Sequence, residues 1–123
     1  MNREIKFRGL REDGKGWVYG GFVKGTSGKT YIFQGNDQDP VEGDCQEVIP
    51  DSVGQFTGRV DGAGVEIFEG DTGLHGESPR IVEYMNTNFI LVSMDRSRGI
   101  LLSFSPRFVV TGNIHQEREV NNG

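Results

Sequence analysis

Two histidines, His75 and His115, and a single cysteine, Cys45, are the side chains of this 123-residue chain best suited to metal binding or nucleophilic work. The histidines stand 40 positions apart, and neither is framed by metal-ligand spacing. Cys45 sits in GDCQEV, where neighbouring acids disfavour its thiolate. Ser103, Ser105 and His115 have the residue types of a hydrolase, but no nucleophile elbow surrounds either serine. Glu66, Glu69 and Asp71 form the most credible carboxylate group. Strand alternation separates Glu66 from Glu69, so sequence proximity does not bring both into one pocket. The fragments Gly14-Lys15-Gly16 and Gly28-Lys29-Thr30 lack the offset glycine and helix start of a phosphate-cradling loop. These groups assign no catalytic residue, no metal ligand and no cofactor. A small hydrolase or metal-dependent enzyme is the weakest reading they support.

Binding is the stronger alternative, because charge is unevenly distributed along the chain. Residues 1–29 hold seven Lys/Arg against three acids, whereas residues 30–79 hold one basic residue against eleven acids. The overall formal charge is −5. Lys6, Arg8 and Arg11, interleaved with Tyr19 and Tyr31, are candidate nucleic-acid contacts: cations neutralise phosphates and exposed rings stack on bases. Alternation puts Lys6 and Arg8 on one face, opposite Phe7. The competing reading is internal complementarity, with basic opening strands beside the acidic middle or against an acidic neighbouring subunit. It is favoured because an acidic protein gains nothing from its net charge in approaching nucleic acid. Trp17, Gln55, Glu69 and Asp71 are read as structural or partner-facing.

The elements that must position these residues are short. EIKFR at 4–8 alternates and predicts a first strand with Ile5 and Phe7 inward. Trp17–Val23 predicts a second strand with Trp17 and Tyr19 on one face, and Gly20-Gly21 permits a bend or bulge. With Thr30–Gln34, these strands make an antiparallel meander. Residues 35–45 are polar and read as a loop. The Ser52–Asp71 segment joins two alternating runs through Asp61-Gly62-Ala63-Gly64, the chemistry of a hairpin turn. A polar connection over 72–79 leads to a second hairpin, Arg80–Met85 and Asn88–Met94, and a last strand follows near Phe108–Ile114. Residues 100–104 are consistent with a strand or one helical turn.

Together these predict one mainly β domain over 1–123, with little helix and a frayed polar tail at 116–123. Because closure removes exposed strand edges, the expected form is a small strongly curved sheet or barrel. The lone cysteine excludes an intrachain disulfide framework. Neither a membrane-length apolar run nor a signal-peptide core occurs, so a cytoplasmic setting is expected.

The motifs REIKFRG (3–9), GWVYG (16–20), SVGQFTGRVDGAGVEIFEGD (52–71) and GNIHQE (112–117) follow one another in an order and spacing that resembles the YopX family of bacteriophage and prophage proteins. Ser52 stands where that family usually has threonine, Thr72-Gly73 interrupts the usual hydrophobic continuation, and His115 replaces a frequent aromatic. The resemblance implies a strand-rich, SH3-like barrel with elaborating loops. It also implies a phage or prophage origin and a small accessory role in the cytoplasm of the bacterial host; with the residues above, the reading is a non-enzymatic protein acting through a protein partner or self-association. It carries over no catalytic residues. Nucleic-acid association through the basic opening strands is the alternative.

Overall fold

The computed structural model describes residues 5–35, 43–102 and 107–115. Ladders among these residues define eleven strands: β1 (Phe7–Leu10), β2 (Trp17–Lys24), β3 (Thr30–Gly35), β4 (Gly43–Val48), β5 (Gly54–Val60), β6 (Glu66–Phe68), β7 (Asp71–His75), β8 (Ser78–Met85), β9 (Asn88–Ser93), β10 (Gly99–Leu101) and β11 (Phe108–Asn113). A 3-10 turn, Pro50–Ser52, precedes β5. The strands order as β4-β3-β2-β1-β5-β6 and as β10-β9-β8-β7-β11, two antiparallel sheets that are both open.

The chain is therefore mainly β and helix-poor, as its alternation implies, but the expected barrel does not form. Neither sheet closes or curves strongly. The expectation of closure rested on the hazard of bare strand edges, and the protein meets that hazard differently. Edge strands β6 and β10 have three residues each. Edge strand β4 carries Asp44 and Glu47, and β11 breaks register between Val110 and Gly112. Short, charged or bulged edges resist edge-to-edge pairing without closure.

The described residues form two compact units, 5–55 and 56–115. In the first, β1 pairs with β2 from Phe7↔Gly20 to Leu10↔Trp17. This register displaces the first strand toward the carboxyl side of its expected position. Leu10 is buried, while Ile5 lies outside the strand at 70% exposure. Val18, Ile32 and Val48 form the core, with Phe7 and Val53 packed against them. Ser52 joins the 3-10 turn to β1: its hydroxyl accepts from the Leu10 amide at 2.8 Å and donates to the Ile49 carbonyl at 2.6 Å. The hydroxyl common to serine and threonine at this motif position thus has a structural use.

In the second unit, the rest of β5 pairs with β6 around the Asp61–Gly64 turn, and the Phe56 and Phe68 rings meet at 5.4 Å. Ile67, Val82, Leu91, Leu102 and Phe108 form its core. The expected polar connection over 72–79 is largely strand, because β7 runs through Thr72-Gly73 to His75. Gly73 makes this continuation possible: a Cβ there would lie 2.1 Å from the Val109 carbonyl oxygen and 2.7 Å from the Phe108 ring. The β8–β9 hairpin turns on Asn86 and Thr87, with φ of 52° and 66°, as a two-residue turn of this hand requires. The loop core over 36–42, Ser103–Pro106 and the tail at 116–123 lie outside the described residues.

Candidate functional site

The β1–β2 ladder brings part of the sequence-derived set together. Arg8 pairs with Tyr19 and Leu10 with Trp17, so these four share a sheet face. The Arg8 guanidinium carbon lies 4.4 Å from the centre of the Trp17 ring, and Arg8 is only 7% exposed. A cation over an indole face is attracted by the ring quadrupole, an attraction strengthened by exclusion of water. Trp17 itself is half-buried, and Tyr19 is exposed. Arg11 leaves this group for the adjoining turn. Its Nε and Nη2 donate to the two carboxylate oxygens of Asp13 at 3.0 and 2.6 Å. This pair, above all, holds the Asp13 carboxyl below its ordinary value. Lys6 is half-buried just ahead of β1.

Beyond Gly20, β2 leaves β1 and pairs with β3, placing Phe22 opposite Ile32 and Val23 opposite Tyr31. A Cβ on Gly20 would stand 2.0 Å from the Phe33 carbonyl oxygen, so the strand changes partners at a position closed to side chains. In this part of β2, past the end of its ladder with β1, Phe22 and Val23 are 43% and 47% exposed. They point to opposite faces, so each side of the sheet keeps an apolar side chain partly exposed here. Phe22 contacts Phe7 with ring centres 5.6 Å apart. Tyr31 is half-buried and paired with Glu47, whose carboxylate lies 3.9 Å from the Lys29 ammonium.

The remaining sequence candidates are scattered. Gln55 is half-buried opposite Phe7 in the β1–β5 ladder. Glu69 is half-buried in the β6–β7 turn. Asp71 is 2% exposed and accepts the Phe68 amide at 2.7 Å, so its carboxylate organises that turn. Cys45 is exposed on β4, and His75 lies on β7 opposite Ser78 and Phe108. His115 donates its amide to Asn113 Oδ1 at 2.8 Å. Among the described residues, no group of three or more His, Cys, Asp and Glu could hold a metal ion.

Two carboxylates carry more structure than their turn-forming role suggests. Asp61 is buried; its Oδ1 accepts the Ala63 and Val65 amides at 2.8 and 3.0 Å, and its Oδ2 accepts the Val110 amide at 3.0 Å. Burial pushes its carboxyl up, but the amides of Val110, Val65, Ala63 and Gly64 outweigh this and leave it below its ordinary value. Asp95, in the β9–β10 turn, accepts both hydroxyls of Ser97 and Ser93 and the Ser97 amide, which bring it down to about 2. The spacing S-x-D-x-S was the local signal for this turn. Nothing local signalled the bond from Val110, which comes from 49 residues away.

No helix among the described residues is long and apolar enough to cross a membrane. No curated protein matches the chain. The motif-bearing segments become β1, β2, the β5–β6 hairpin with its exit into β7, and the end of β11. All of them overlap the stretch 6–120 matched by the family model for YopX protein. With nearly its whole length accounted for in this way, the chain belongs to the YopX family of phage and prophage proteins.

Proposed function

We propose that the protein is a non-enzymatic phage accessory protein of the host cytoplasm that holds a protein partner on the exposed part of β2. The supporting observation is the exposure of Phe22 and Val23 on the two faces of β2 past the end of its ladder with β1. A strand end that runs past its neighbour and exposes apolar groups favours association. Tyr19 extends the exposed surface along the same strand. The placement of the cations supports protein contact over nucleic acid. Arg8 is buried against Trp17, and Arg11 is returned to Asp13. A phosphate backbone needs accessible cations whose counterions it can release.

A photo-crosslinking residue at position 22, introduced in cells carrying the phage, tests this directly. The expected result is a discrete protein adduct that disappears when Val23→Arg is added. An adduct of twice the chain mass identifies the partner as a second copy. Adducts to DNA or RNA that weaken with salt would replace this reading with nucleic-acid association. No adduct from folded protein would remove it.

A further inference from the structure

We propose that a groove at the end of the β8–β9–β10 sheet binds a small phosphate monoester through Arg80 and Arg98. The groove has a volume of about 580 Å³, and these two arginines line it. Arg80 pairs with Ser93 across the β8–β9 ladder and stands two positions before the buried Val82. Its side chain therefore leaves from the core face of the sheet and is partly withdrawn from water. Its Nη1 lies 3.4 Å from both the Leu91 and Arg98 carbonyl oxygens, long distances for hydrogen bonds. Its Nε is shielded from solvent and has no acceptor among the described residues. The Nη2 donors also have no acceptor among the described residues and remain for an oxyanion.

Nearby acids compensate this charge only in part. Among the described residues, neither Arg80 nor Arg98 has a carboxylate within ion-pair distance. Asp95 borders the same groove as an ionised carboxylate whose Oδ1 is held by Ser93 and Ser97, so one negative charge stands beside the two arginines. Glu83 is taken by Arg96. The residues that line the groove thus carry an excess of one positive charge, in a chain of net charge −5. A phosphate monoester offers three terminal oxygens to share between Arg80 and Arg98, where a carboxylate offers a single edge of two. The volume exceeds that of a phosphate group, and Pro79 and Met94 give the organic part of an ester apolar surface.

The test is a two-dimensional NMR titration of the full chain with adenosine 5′-monophosphate at constant ionic strength. Adenosine, acetate and a phosphoserine peptide are run alongside. Saturable shifts are expected at the amides of residues 93–99 and at the Arg80 side chain. Arg80→Gln and Arg98→Gln should each weaken binding at least tenfold, and Arg59→Gln, an equal charge change on β5, should leave it unchanged. If Arg80→Gln does not fold, Arg98→Gln and Arg80→Lys carry the comparison. Absence of saturation, equal weakening by Arg59→Gln, or equal binding of adenosine or acetate would overturn the proposal. Binding of the phosphopeptide alone would assign the groove to a protein ligand and overturn the small-molecule assignment.

Discussion

Asp61 shows how much a single carboxylate can organise, since it closes the β5–β6 turn and reaches the amide of Val110 on β11. In Asp61→Asn, one side-chain oxygen can still accept, but the amide nitrogen would face the Val110 N–H donor to donor. Leaving that partly buried donor unmatched costs about 1 kcal/mol, toward the low end of the penalty for a buried group and measurable by urea unfolding. The pH dependence has a definite sign. The folded value of Asp61 lies below the ordinary 3.8, so its contribution is fully present above 3.8 and is lost as pH falls through the folded value. Asp61→Asn should therefore flatten the acid limb of the stability profile. Trp17 offers a second residue-scale prediction, because it shields the Arg8 guanidinium from one side. Trp17→Ala should destabilise by about 2–3 kcal/mol, less than a fully buried tryptophan. Trp17→Phe should recover most of the loss, as monitored by circular dichroism.

Among the elements, β2 shows the clearest difference between neighbouring positions of the same residue type. A Cβ on Gly20 would collide with the Phe33 backbone, whereas one on Gly21 meets nothing within 4 Å. Gly20→Ala should cost about 1–3 kcal/mol or more through backbone displacement. Gly21→Ala should be close to neutral, and paired denaturation curves read the contrast. The GG pair was visible as a bend or bulge signal, but its two members are inequivalent only because β3 approaches one of them. The β8–β9 hairpin makes a complementary case. Thr87 is β-branched at a φ of 66°, a region disfavoured for such a residue. Thr87→Gly should raise stability by up to about 1 kcal/mol, the strain relieved being partly offset by glycine's unfolded-state entropy.

On the scale of the whole molecule, each unit has its own buried cluster, one built on Val18, Ile32 and Val48 and the other on Ile67, Val82, Leu91, Leu102 and Phe108. Leu91→Ala should cost about 2–5 kcal/mol. Hydrogen exchange should locate the lost protection mainly within 56–115, while Ile32→Ala acts mainly within 5–55. Equal loss of protection throughout would instead show that both clusters melt as one cooperative unit. The open sheets also bear on association. With the edges of β6 and β10 short and that of β4 acidic, the exposed face positions of β2 are the stronger candidates for contact.

Alternation of apolar residues and turn chemistry at Asp61–Gly64 and Asn86-Thr87 determined that this chain is built from strands and where its two central hairpins reverse. Those signals are local, acting over a few residues of backbone and side chain. The ordered motifs likewise placed it in its family. Tertiary structure decided which edges stay open, because closure depends on pairing between strands distant in sequence. It also set the register that exposes Ile5 and buries Leu10. The same long-range packing turned Arg8 onto Trp17, brought Asp61 to Val110, and put Arg80 and Arg98 along one groove. A short window of sequence contains none of these partners, so no local pattern could specify them.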